Sequence, residues 1–111
     1  MQRRFRLTHP ADFQRVRRDG KSYAHLLAVL IAGSSDSPGP RLGVAAGADL
    51  GPAVVRNRLK RRLREALRPL AGQVPGGHDL MFIARGPMVQ AGQSEVNAAV
   101  RLLLRRAKLI E

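Results

Sequence analysis

With 111 residues, 44% of them hydrophobic, the chain is long and apolar enough for one domain with a core, which excludes a disordered basic tail. Its 20 Lys and Arg against 8 Asp and Glu give a net charge of +12, so a polyanionic partner is expected, nucleic acid ahead of an anionic membrane surface. The lack of cysteine excludes disulfides, thiolate metal sites and cysteine nucleophiles.

In chain order, a first helix is predicted over about residues 8–18. Thr8 is its cap, Pro10 sits in the first turn, Phe13 and Val16 share a face and Gly20 is the stop. The apolar run 26–32 could pass for a signal-peptide core, but Asp12 and Asp19 upstream of it belong to a folded amphipathic element. No apolar run reaches the roughly 20 residues of a membrane span, so a cytoplasmic protein without a membrane partner is expected. Residues 23–32 and 41–46 are apolar runs on either side of a Gly/Pro-rich loop. They predict a β-hairpin with a long tip, with a third short strand near Ala48.

Gly51-Pro52 opens a second helix that runs to about Arg68, where Pro69 ends it. Residues 80–84 read as a buried strand. Ser94 caps a last helix with Val96, Val100, Leu103, Leu104 and Ala107 at helical spacing. The order αββ(β)αβα predicts an α+β fold, one domain over residues 1–111, with helices packed on one face of a single mixed sheet.

The chemistry concentrates in the second helix. At 100° per residue Val55, Leu59, Leu63, Ala66 and Leu67 fall on one apolar arc. Arg56, Asn57, Lys60, Arg61, Arg64 and Arg68 fill the adjoining arc, and Arg58, Arg62 and Glu65 lie on the far shoulder. From Arg56 to Arg68 the helix climbs about 18 Å, long enough to track several phosphates. A solvated helix usually mixes signs to gain i,i+4 pairs. Here Arg56–Lys60, Lys60–Arg64 and Arg64–Arg68 are like-charged at that spacing, a strain that a polyanion would relieve. A DNA-reading helix would offer more amides and hydroxyls to base edges than Asn57 alone, so no DNA partner is expected.

A catalytic constellation is missing from the pattern. The acids Asp12, Asp19, Asp36, Asp49, Asp79 and Glu95 are scattered, and His9, His25 and His78 lack metal-ligand spacing. Phosphoryl chemistry would belong to a partner.

The run Ala53-Val54-Val55-Arg56-Asn57-Arg58-Leu59-Lys60-Arg61, followed by Arg64-Glu65, resembles the Arg-Asn-Arg signature of the bacterial ribonuclease P protein family. Flanking features agree: Phe13-Gln14-Arg15-Val16 with Gly20, Arg41-Leu42-Gly43-Val44, Gly51, and Ile83-Ala84-Arg85. The resemblance spans about residues 6–107. It implies a left-handed βαβ crossover, which is rare, and the subunit of an endoribonuclease whose catalytic RNA, with Mg²⁺, cleaves the 5′ leader from precursor tRNA. The protein itself would hold neither catalytic residue nor metal. Arg56, Asn57, Arg58, Lys60, Arg61 and Arg64 would then face the catalytic RNA, with Arg68 on the same arc. Phe13, Val29, Ile31 and Arg85 would line a cleft for the leader. Arg17 stands where a second cleft aromatic is typical, Ile31 where an aromatic is frequent, and Gly47-Ala48-Asp49 in place of Ser-Lys-Lys, so stacking and charge there are reduced. The alternative is a structural RNA-binding protein of ribosomal type with no part in cleavage. The oligomeric state is left open.

Overall fold

The structure is a computed structural model that describes Arg6, Leu7 and residues 10–111. Among them, three helices, α1 (Pro10–Asp19), α2 (Ala53–Leu67) and α3 (Gln93–Arg106), accompany four strands, β1 (Lys21–Ala24), β2 (Ala28–Ser34), β3 (Arg41–Ala45) and β4 (His78–Ala84). The strands form one mixed sheet in the order β1-β2-β4-β3. β4 runs antiparallel to β2 and parallel to β3, in register Leu30↔Phe82 and Val44↔Phe82. The parallel pair is joined through α2, so β3, α2 and β4 make a βαβ unit.

The expected α+β class and single domain hold, and the pairing of strands differs from the expectation. Residues 23–32 are not one strand. They break at His25–Leu27, and β1 and β2 form the hairpin there. No Gly or Pro marks this turn. It is closed by side chain and backbone together, with the Leu27 N–H donating to His25 Nδ1 at 3.0 Å and the His25 N–H to the Ala28 carbonyl at 2.9 Å. The Gly/Pro-rich loop therefore does not close a hairpin. It carries the chain from β2 past β4 to the far edge of the sheet. Near Ala48 the chain makes a 3₁₀ turn over Ala48–Leu50 instead of a third strand.

Helix ends are close to expectation. Pro52 stands at the N-cap of α2, and Gly51 before it has φ 137°, a value that side-chain-bearing residues rarely adopt. The expected cap at Thr8 lies outside the described residues. For α3 the cap position is Gly92 rather than Ser94, with its N–H donating to Glu95 Oε1 at 3.2 Å.

The sheet is covered on both faces, which corrects the expectation of helices on one. Alternation along β4 sends Leu80, Phe82 and Ala84 into a large core with Leu30, Leu42 and the apolar faces of α2 and α3. Met81 goes the other way, to a small cluster with Leu7 and Val16, against which Phe13, Ile31, Ala45 and Ile83 pack. That second cluster seats α1. Leu59, Leu63, Leu67, Leu103 and Leu104 are fully buried between the two long helices and the sheet.

Candidate RNA interface

α2 presents its charges because its leucines are taken by the core. With Leu59, Leu63, Ala66 and Leu67 buried, Asn57, Arg58, Arg61 and Arg68 are left exposed, and Arg56, Lys60 and Arg64 half-buried along the flank. Arg56 Nε donates to the Gly51 carbonyl at 3.2 Å, which holds that guanidinium at the helix start. Arg68 pairs with Glu65 at 2.6 Å, so its charge is partly answered within the helix. No ion pair engages Arg56, Arg58, Lys60, Arg61 or Arg64 among the described residues. Arg62, on the far shoulder, ties α2 to the start of α3. Its Nη1 donates to the Ala91 carbonyl at 2.5 Å, and Gln93 Nε2 donates to the Arg62 carbonyl at 2.9 Å.

Arg64 has a neighbour that the sequence did not single out. Arg6 bridges to Leu42 of β3, and since Leu7 points into the small core, Arg6 points to the opposite face, where α2 lies. Burial and the charge of Arg6 both push the Arg64 guanidinium below its ordinary value. Two like charges thus meet at the β3 edge, an arrangement that a phosphate between them would stabilise.

Of the expected cleft residues, Phe13, Val29 and Ile31 share the α1 face of the sheet. Ile31 packs with the small cluster, and Val29, two residues back, shares its face and is half-buried. Phe13 is half-buried on α1. A Cβ built on Gly43 would stand 2.6 Å from Phe13 Cε1, so the ring lies directly on the β3 backbone. Arg17 is exposed on α1 and Arg85 exposed just after β4, with Arg85 Nη1 donating to the His25 carbonyl at 3.0 Å. Half-buried apolar side chains thus line the sheet beside α1, a strip that can floor a groove, with exposed arginines on the flanking elements.

Beside its apolar footing, α1 is tied to the sheet by an ionic network around one buried carboxylate, Asp79, that sequence reading missed. Asp79 is fully buried and accepts two hydrogen bonds from Arg41, each 2.8 Å, and a third from Arg15. Asp12 accepts from Arg41 at 3.2 Å, and Arg15 Nη1 donates to the Ser34 carbonyl at 2.9 Å. Burial alone would raise the Asp79 carboxyl, but the bonds from Arg41 and Arg15 outweigh it and hold it below the usual carboxylate range. The same bonds raise both guanidiniums. Four residues from α1, β3 and β4 are thereby locked together.

A small basic α+β domain with unanswered cations along one helix and an apolar strip beside another defines an RNA-binding protein. Comparison with known proteins gives the family. The ribonuclease P family model matches residues 1–108. The ribonuclease P protein component of Roseiflexus castenholzii is 40% identical, covering 100% of this chain and 92% of its own. That of Herpetosiphon aurantiacus is 40% identical over 98% of this chain and 89% of its own. Among solved structures, the Staphylococcus aureus RNase P protein superposes with TM-score 0.88 at 29% identity, covering 96% of this chain and 98% of that one. The Thermotoga maritima RNase P protein gives 0.81 at 30% identity, over 91% and 96%. The chain belongs to the ribonuclease P protein component family. Its role is in tRNA processing as a subunit of that endoribonuclease, and its partner is the ribonuclease P RNA.

Proposed function

We propose that the α2 face binds the catalytic RNA and that the groove beside α1 binds the single-stranded 5′ leader of precursor tRNA, so that the protein assists a cleavage carried out by the RNA with Mg²⁺ in the cytoplasm. One observation carries the reading: Arg56, Arg58, Lys60, Arg61 and Arg64 lie on one helix without an ion pair among the described residues. Such a face is stabilised by a polyanion and strained without one. The groove supports the second half, since single strands bind basic channels with apolar or aromatic platforms. Phe13 would be the platform, Val29 and Ile31 the floor, and Arg17 and Arg85 the cationic rim. With one aromatic in place of two, base stacking is modest and charge carries more of the leader affinity. Among the described residues no group of three or more His, Asp or Glu stands together to hold a metal. In this reading the chain's own part is binding and charge neutralisation, and Mg²⁺ would be held by RNA.

The test is a titration of precursor tRNA, with and without its leader, into catalytic RNA alone and into the reconstituted holoenzyme. The protein should tighten binding of the leader-bearing substrate more than of mature tRNA, and Phe13→Ala should reduce that difference. Equal tightening of both would leave a purely structural RNA-binding role.

A further inference from the structure

Leu26, Val54 and Leu102 are the large hydrophobic side chains left exposed among the described residues. Two of them border one place, where the β1–β2 turn meets the end of α3. Two arginines reach that turn from different elements. Arg85 donates from Nη1 to the His25 carbonyl at 3.0 Å, and Arg106, the last residue of α3, donates from Nη1 to the preceding carbonyl, Ala24, at 2.6 Å. Both acceptors are neutral. Neither arginine is in an ion pair among the described residues, so two full charges stand on successive peptide units. Leu26, 67% exposed, lies just beyond those carbonyls, and Leu102 lies one turn before Arg106 on the same side of α3. A guanidinium already anchored to a carbonyl loses less freedom on meeting a ligand than a free one does.

Arg85 joins the patch to the groove, while α3 itself packs on the face of the sheet opposite α1. Val29 pairs with Ala24 on one side and with Ile83 on the other, and Arg85 follows Ile83 by two residues. It also lies toward the β1 edge of the sheet, whereas Arg64 and Arg6 meet at the opposite, β3 edge. A strand leaving the groove past Arg85 would turn around the end of the sheet to reach it.

We propose that Arg106, Leu26 and Leu102 form, with Arg85, an outer site for the distal part of the single-stranded leader. The guanidiniums take phosphates, and the leucines take the faces of unstacked bases. The site rests on the leader reading given above and extends it to residues of α3 and of the β1–β2 turn.

The experiment measures binding of the holoenzyme, wild type or with Arg106→Gln or Leu26→Ser, to precursor tRNAs whose leaders are graded from absent to long. Both variants should weaken the longest leaders by about two- to fivefold and leave the leaderless and shortest substrates unchanged. Arg106→Gln should also flatten the salt slope for long leaders by about 0.7. If the wild type gains affinity with leader length and the variants match it throughout, the outer site is overturned and the groove reading stands. A loss equal at every length assigns these residues to the catalytic RNA, and a change in self-association of the free protein assigns them to a contact between copies; either overturns the site. A wild type indifferent to the leader removes the groove and the outer site together.

Discussion

Asn57 is exposed between Arg56 and Arg58, where another arginine would serve plain attraction equally well. Its amide can donate and accept at once, so it can read a defined RNA group. Asn57→Ala should lower holoenzyme affinity by about 1–2 kcal/mol with no change in salt dependence. Lys60→Gln or Arg61→Gln should flatten the log–log salt slope by nearly one unit each, since each neutralised phosphate contributes about 0.7–0.9. Titrations at two salt concentrations separate these outcomes. Arg68 should matter less than Arg61, because Glu65 already partners it at 2.6 Å. The exposed charged face of α2 was readable in the sequence because charge and helical period are local properties. Arg6 was not, because its place beside Arg64 depends on Arg6 and Leu7 lying against Leu42 of β3.

At the scale of elements, α1 is the piece whose seat is most dependent on a few contacts. Its apolar footing is a small cluster around Val16, Leu7 and Met81, and the Asp79 network adds the rest. Asp79→Asn leaves a neutral amide facing Arg41 and Arg15, whose half-buried charges keep Asp12 as a partner, and should cost about 1–3 kcal/mol of stability, read by denaturant unfolding. Hydrogen exchange should loosen in α1 before α2. The pH dependence follows from the depressed Asp79 carboxyl. Its contribution is complete above the ordinary carboxylate value of about 3.9 and is lost as pH falls below that value toward the folded one. Wild type should therefore lose more stability than Asp79→Asn between about pH 5 and pH 2. A gentler probe is Gly43→Ala. The added methyl would displace the Phe13 ring, so leader affinity should fall while binding through α2 is retained. In the sequence, Gly43 showed only as part of a motif. The ring it accommodates lies thirty positions away, and no local pattern reports such a contact.

For the whole molecule, a net charge of +12 on a body with a radius of gyration of 12.8 Å is a large self-repulsion to carry without RNA. The purified protein alone should not cleave precursor tRNA. With its RNA it should lower the Mg²⁺ concentration needed for cleavage, because arginines then offset phosphate repulsion that the cation otherwise screens. Robust cleavage by RNA-free protein would contradict this. What was legible locally was the order of the three helices with a buried strand between the last two, the apolar arc of α2 and the cationic arc beside it, since hydrophobic period, proline stops and charge spacing are written within a dozen residues. Only the tertiary structure decided that β4 inserts between β2 and β3, that α1 takes the opposite face from α2 and α3, and that Asp79 gathers Arg41 and Arg15. Strand pairing and ion pairing of this kind join residues 38 or 64 positions apart. They are selected by which arrangement buries both faces of β4 and leaves no buried charge unpaired, a property of the packed chain as a whole.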